Sequence, residues 1–202
     1  MSPQRSNRSH LIEGTLRCLE RLPPEAVTAR AIADESGANL ASITYHFGSK
    51  DGLVTAAVVE GLDRWLAEIA RRLEVVEADD PPARFRLAFE AVDAGRRRHA
   101  GLARTFLAAM AKAQHDTRVR ALLAAGFQRA RGDVADVLGL GSDEAGRDAG
   151  ALVLALFDGL LFQTLVDQSL AVRGDRVAGG LVRLRDVLAD DGRVRSSSSR
   201  AR

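Results

Sequence analysis

The chain is poor in the residues that build most chemistry. Among its 202 residues there is one cysteine, Cys18, so no internal disulfide can form. Cys18 falls within an apolar helical stripe, which predicts a buried small hydrophobe rather than a nucleophile. The four histidines, at 10, 46, 99 and 115, are scattered. No HExxH pair, no His/Cys metal spacing, no Gly-rich phosphate loop and no nucleophile elbow is found. No catalytic, cofactor or metal site is therefore expected, and an enzyme is the weaker reading. Aromatics make up 4%, which argues against a strand-rich fold, because strands favour aromatic and β-branched residues. Formal net charge is +2, so any basic surface must be local. Lysine occurs only at 50 and 112 among 29 basic residues. No apolar run reads as long enough to cross a bilayer, and the polar start has no signal-peptide core. These features predict a cytoplasmic protein with no membrane partner.

What is present is helical: 46% of residues are hydrophobic, spaced at three and four along most of the chain. Leu11, Ile12, Leu16, Leu19 and Leu22 stripe a first helix from about Arg5 to Arg21, which Pro23-Pro24 ends. A second helix follows Thr28 and stops at Gly37. A third runs from Leu40 to about Phe47, capped by Asn39. Ser49 caps a long fourth helix from Lys50 to about Val76. Asp79-Asp80-Pro81-Pro82 marks a boundary and starts a fifth helix that ends near His99. Leu102, Phe106 and Met110 mark a sixth, and Val119 to Leu138 a seventh. Ser142 to Gln168 is an eighth, apolar nearly all round, so every side of it requires cover. Asp175 to Leu188 is the last. The expected fold is all-α with about nine helices. The expected divisions are 1–52, 53–190 and a disordered basic tail at 191–202.

The stretch Thr28–Lys50 organises the rest. Two short helices joined by Gly37-Ala38-Asn39 form a helix-turn-helix. In the second of them Ile43 and Phe47 point inward, four residues apart. Leu40, Ala41, Ser42 and Thr44 are left outside. A major groove accepts one α-helix and meets its N-terminal residues, so these four are candidate base readers. Leu40 and Ala41 suit thymine methyls, and Ser42 and Thr44 suit several base edges. Thr28, Tyr45, His46 and Lys50 carry donors for phosphate oxygens, with Lys50 at a helix N-terminus that already favours an anion. Arg30 can reach the DNA backbone or pair with Asp34. Asn39, at the head of the reading helix, joins the expected interface.

The elements Thr28-x-Arg30-x-Ile32-Ala33, Gly37 and Tyr45-His46-Phe47-x-Ser49-Lys50 resemble the DNA-binding domain of the TetR family of bacterial transcriptional regulators. Spacing, order and position near the N-terminus agree over about the first quarter of the chain. One departure is Ile43-Thr44, where many relatives carry Leu-Tyr. Asp158-Gly159-Leu160 in the eighth helix also looks like family members. The resemblance implies a homodimer on a palindromic double-stranded DNA operator, repression, and release by a small effector bound in the C-terminal domain. The two last helices are the expected dimer interface, as a four-helix bundle. A mostly hydrophobic effector is expected among Phe89, Phe106, Met110, Phe127, Phe157 and Phe162, with His99, Asp158 or Gln163 as polar contacts. The alternative reading is a helical protein-interaction adaptor without sequence-specific DNA binding.

Overall fold

The computed structural model describes residues 3–75, 80–172 and 174–197. Among them are nine α-helices, two short 3-10 turns and no strand. The helices are α1 Pro3–Arg21, α2 Ala29–Ser36, α3 Leu40–Phe47, α4 Lys50–Leu73, α5 Pro81–Gly95, α6 Ala100–Lys112, α7 Thr117–Leu138, α8 Glu144–Val166 and α9 Gly174–Ser197. The all-α expectation holds. Val76, Asp79, Arg173 and residues 198–202, assigned above to a helix end, linkers and the tail, lie outside the described residues.

Several ends differ from the sequence expectation. α5 stops at Gly95, and His99 instead becomes the N-cap of α6. α8 ends at Val166 because Asp167 turns extended, with φ −149°, and caps the following turn through Ser169 N at 2.8 Å. α9 continues past Leu188 to Ser197, so residues 191–197 of the expected tail are helical. α8 is also long and apolar enough to cross a membrane, which corrects the expectation that no run has that length. Core and interface helices of soluble proteins meet the same test.

Two hydrophobic clusters hold the helices together. The first joins Leu11 and Leu19 of α1, Ile32 of α2, Ile43 and Phe47 of α3, Leu53, Ala57 and Val58 of α4, Leu102 and Phe106 of α6, and Val119 and Leu123 of α7. It includes Cys18, which is buried and free, its thiol pushed up in pKa chiefly by burial. This core runs without a break from the N-terminal helices into the C-terminal ones. The second cluster gathers Trp65, Ile69 and Leu73 of α4 with Ala88, Val134, Leu138 and Leu161. α4 contributes to both.

Ion pairs set α1 against its neighbours. Arg17 and Arg21 both reach Glu35 of α2, and Arg17, then Arg21, holds that carboxyl below its usual range. Arg64 of α4 binds Glu13. These pairs are solvent-exposed and align the helices more than they stabilise them.

Candidate DNA interface and effector cavity

The reading head is assembled by caps. Thr28 Oγ1 accepts from Ala31 N at 3.1 Å and starts α2. Gly37 ends it with φ 63°, a left-handed conformation that costs a Cβ-bearing residue but not glycine. Asn39 Oδ1 accepts from Ala41 N at 2.9 Å and starts α3 two residues later. Ser49 Oγ accepts from Gly52 N at 3.0 Å and starts α4. These caps use acceptor atoms, which leaves the Thr28 and Ser49 hydroxyl protons and the two N–H groups of the Asn39 amide as donors.

α3 buries Ile43 and Phe47 and turns the rest outward. Leu40 is 51% and Tyr45 70% exposed, with Ala41 and Thr44 also exposed and Ser42 and His46 half-buried. Tyr45 and His46 meet edge to face, with ring centroids 4.8 Å apart. Arg30 is exposed on α2, and among the described residues no ion pair joins it to Asp34. Lys50 is half-buried; its ammonium donates to Val27 O at 3.3 Å, just before the α2 cap. It therefore fixes the head as well as facing outward.

Two basic residues outside the motif border the head. The Arg8 guanidinium of α1 lies 5.3 Å from the centroid of the Phe47 ring, a cation–π distance. Arg118, at the start of α7, packs on Gly48, where a Cβ would collide with its guanidinium. Neither has a signal in the local pattern, because both reach the head through tertiary packing.

The C-terminal half encloses a cavity of about 120 Å³ between α4, α5, α6, α7 and α8. Phe106, Phe127, Phe157 and Asp158 line it. The other expected ligand residues lie elsewhere. Met110 is on the outer face of α6, 36% exposed, and Gln163 is exposed on α8. His99 stacks on Trp65 with centroids 4.4 Å apart, and that burial lowers its pKa. Phe89 packs against Phe157 and Phe162 against Phe106, each at 5.8 Å, without reaching the cavity. The wall is completed by residues not singled out in the sequence, among them Trp65, Leu66, Leu123 and Val134. Their helical stripe had marked them as core, and a core stripe does not reveal where packing leaves a gap.

A sequence model described as "Bacterial regulatory proteins, tetR family" matches residues 11–57. The chain is 28% identical over 155 residues to the HTH-type transcriptional regulator BetI of Burkholderia ambifaria, covering 76% of this chain and 79% of that protein. A solved structure titled as a putative transcriptional regulator from Pseudomonas aeruginosa superposes with TM-score 0.63 at 21% identity, covering 93% of this chain and 92% of that one. The multidrug binding protein EbrR, solved with imidazole, superposes with TM-score 0.61 at 19% identity, covering 91% and 90%. With the exposed α3 and its caps, these likenesses define a helix-turn-helix transcriptional regulator that binds DNA, and not an enzyme. The helix-turn-helix portion, residues 11–57, matches the TetR family of bacterial regulatory proteins, and the rest of the chain is similar to such regulators in fold. The adaptor reading, which lacked DNA binding, falls with that assignment.

Proposed function

We propose that two copies of this chain bind a palindromic operator in the bacterial cytoplasm, repress transcription, and let go when a small, mostly hydrophobic effector fills the cavity. The observation that carries this reading is the apolar surface left uncovered on α8 and α9. Leu152 is 73%, Val166 85% and Leu188 76% exposed. Of the 23 residues of α8, Gly146, Gly150 and Leu161 are the buried ones. A contiguous apolar face of this kind marks an interaction site. A second copy of α8 and α9 would cover it as a four-helix bundle.

Dimerisation is also what the reading head requires. One α3 spans one half-site; two must stand about 34–36 Å apart to meet successive major grooves. Leu40, Ala41, Ser42 and Thr44 take the base edges in this scheme. Thr28, Arg30, Asn39, Tyr45, His46 and Lys50 take phosphates. Residues 1–52 do the reading, and the body that follows sets the spacing. EbrR is solved with a small molecule, which supports an effector site in the shared fold. An occupant of the cavity between α4 and α8 would tilt α4 and carry α3 out of register.

Two measurements test this. Sedimentation is expected to give a dimer at micromolar concentration. Gel shifts are expected to give tight, salt-sensitive binding to a palindrome near the gene itself. A monomer that binds DNA without half-site spacing would overturn the dimer reading.

A further inference from the structure

The cavity contains one unanswered charge. Two acidic residues line it, Asp63 and Asp158, and no lysine, arginine or histidine does. Asp63 is already paired, its Oδ2 2.9 Å from Arg129 Nη2. Asp158 sits on α8 between Phe157 and Leu161, lines the cavity half-buried, and has no hydrogen bond or ion pair among the described residues. Its burial pushes its pKa up to about 6. A carboxylate partly withdrawn from water without a partner is costly, and an opposite charge brought to it offsets that cost. Trp65, Phe106, Phe127 and Phe157 line the same space. Aromatic faces attract cations and repel anions.

Resting on the effector reading above, we propose that the cavity selects a small organic cation, an ammonium on an apolar body about one ring in size, with Asp158 as its counter-ion. The size follows from the volume: a cavity of roughly 150 Å³ accepts one benzene ring. The single tryptophan of the chain, Trp65, lines the cavity and reports occupancy by its fluorescence.

The test uses the full chain at pH 8 and three probes with one body: cyclohexylmethylamine, cyclohexylmethanol and cyclohexanecarboxylate. The wild type is expected to bind the amine about tenfold or more tighter than the alcohol, with the carboxylate weakest. Asp158→Asn should bring amine and alcohol to within roughly threefold by weakening the amine. Ala130→Phe, at the cavity wall, should remove binding of both. Equal binding of amine and alcohol by the wild type, or an amine preference that survives Asp158→Asn, overturns the cation assignment and leaves the effector reading standing. Amine binding that survives Ala130→Phe lies elsewhere and also overturns it. If none of the three probes binds, the effector reading falls as well.

Discussion

Lys112 and Lys50, the only lysines in the chain, both approach the carboxylate of Asp51, their ammonium nitrogens 2.5 and 3.8 Å from its Oδ1. Lys112 closes α6 and Asp51 lies in the first turn of α4. Lys50 in turn holds Val27 O, beside the start of α2. The body thus touches the reading head through a chain of three charged side chains. All three are between a third and half exposed, so the pair itself is worth about 0–1 kcal/mol of stability. Lys112→Ala should shift Tm by no more than about 4 °C. It should nonetheless weaken operator binding about threefold, because Asp51 is then free to draw Lys50 away from phosphate. Asp51→Asn in the same chain should restore it. A double mutant as weak as Lys112→Ala would break this link.

Lys50→Ala should weaken binding to all sequences alike and reduce the salt slope by about 1 per protomer. Ser42→Ala should leave the slope alone and change the preference among operators, by about 1–3 kcal/mol at one base pair. Titrations at several salt concentrations on operator and random DNA separate the two. Exchanged outcomes would reverse the assigned roles.

Asn39 caps α3 and, in the function proposed above, also contacts phosphate; the two roles are separable. Asn39→Ala removes the cap, which costs about 1 kcal/mol and lowers Tm by about 2–4 °C. Asn39→Asp keeps the cap acceptor but sets a negative charge against phosphate. It should melt like the wild type and bind the operator about tenfold more weakly. Wild-type DNA binding by Asn39→Asp would place residue 39 outside the interface.

Asp158 makes stability depend on pH. Its pKa is about 6 in the folded chain against an ordinary 3.8. The folded state therefore holds the proton more tightly than the unfolded one. The contribution of Asp158 to stability is greatest below about pH 4, is lost as pH rises from about 4 to about 6, and is flat above that. The loss amounts to about 3 kcal/mol at most. Asp158→Asn cannot ionise, so its Tm relative to wild type should climb across that window and then level off. Parallel curves for the two proteins would show that the carboxylate is well solvated.

Leu184→Glu on α9 and Leu152→Glu on α8 each place a charge on an exposed apolar position, 59% and 73% open in the single chain. Neither should lower the helicity of the protomer. Both should shift sedimentation towards monomer and weaken operator binding. Dimers that persist in both variants would move the interface off α8 and α9.

The reading head was almost entirely legible in the sequence. α3 spans Leu40–Phe47 as its spacing predicts, and Thr28, Gly37, Asn39 and Ser49 cap or stop helices where expected. Those signals are local: a cap acts on a backbone amide two or three residues away. The cavity was only partly legible. Helical period marks Met110 and Phe106 as one stripe, yet Phe106 is buried and Met110 is not. Which member of a stripe meets a neighbouring helix depends on how that helix crosses, and no local pattern encodes it. Arg8 over Phe47 and Arg118 on Gly48 escaped for the same reason.

The unbroken first core has a further consequence. Phe47 of the head shares one hydrophobic cluster with Leu102 and Val119 of the body, through Leu53, Ala57 and Val58 of α4. The exposed Gly48-Ser49 link between α3 and α4 is bridged by that cluster, so the head cannot swivel there without opening it. It should melt together with α6 and α7 in one transition. A chimera that transplants residues 1–47 onto another helical body would also need those facing surfaces, so the head is not a detachable module.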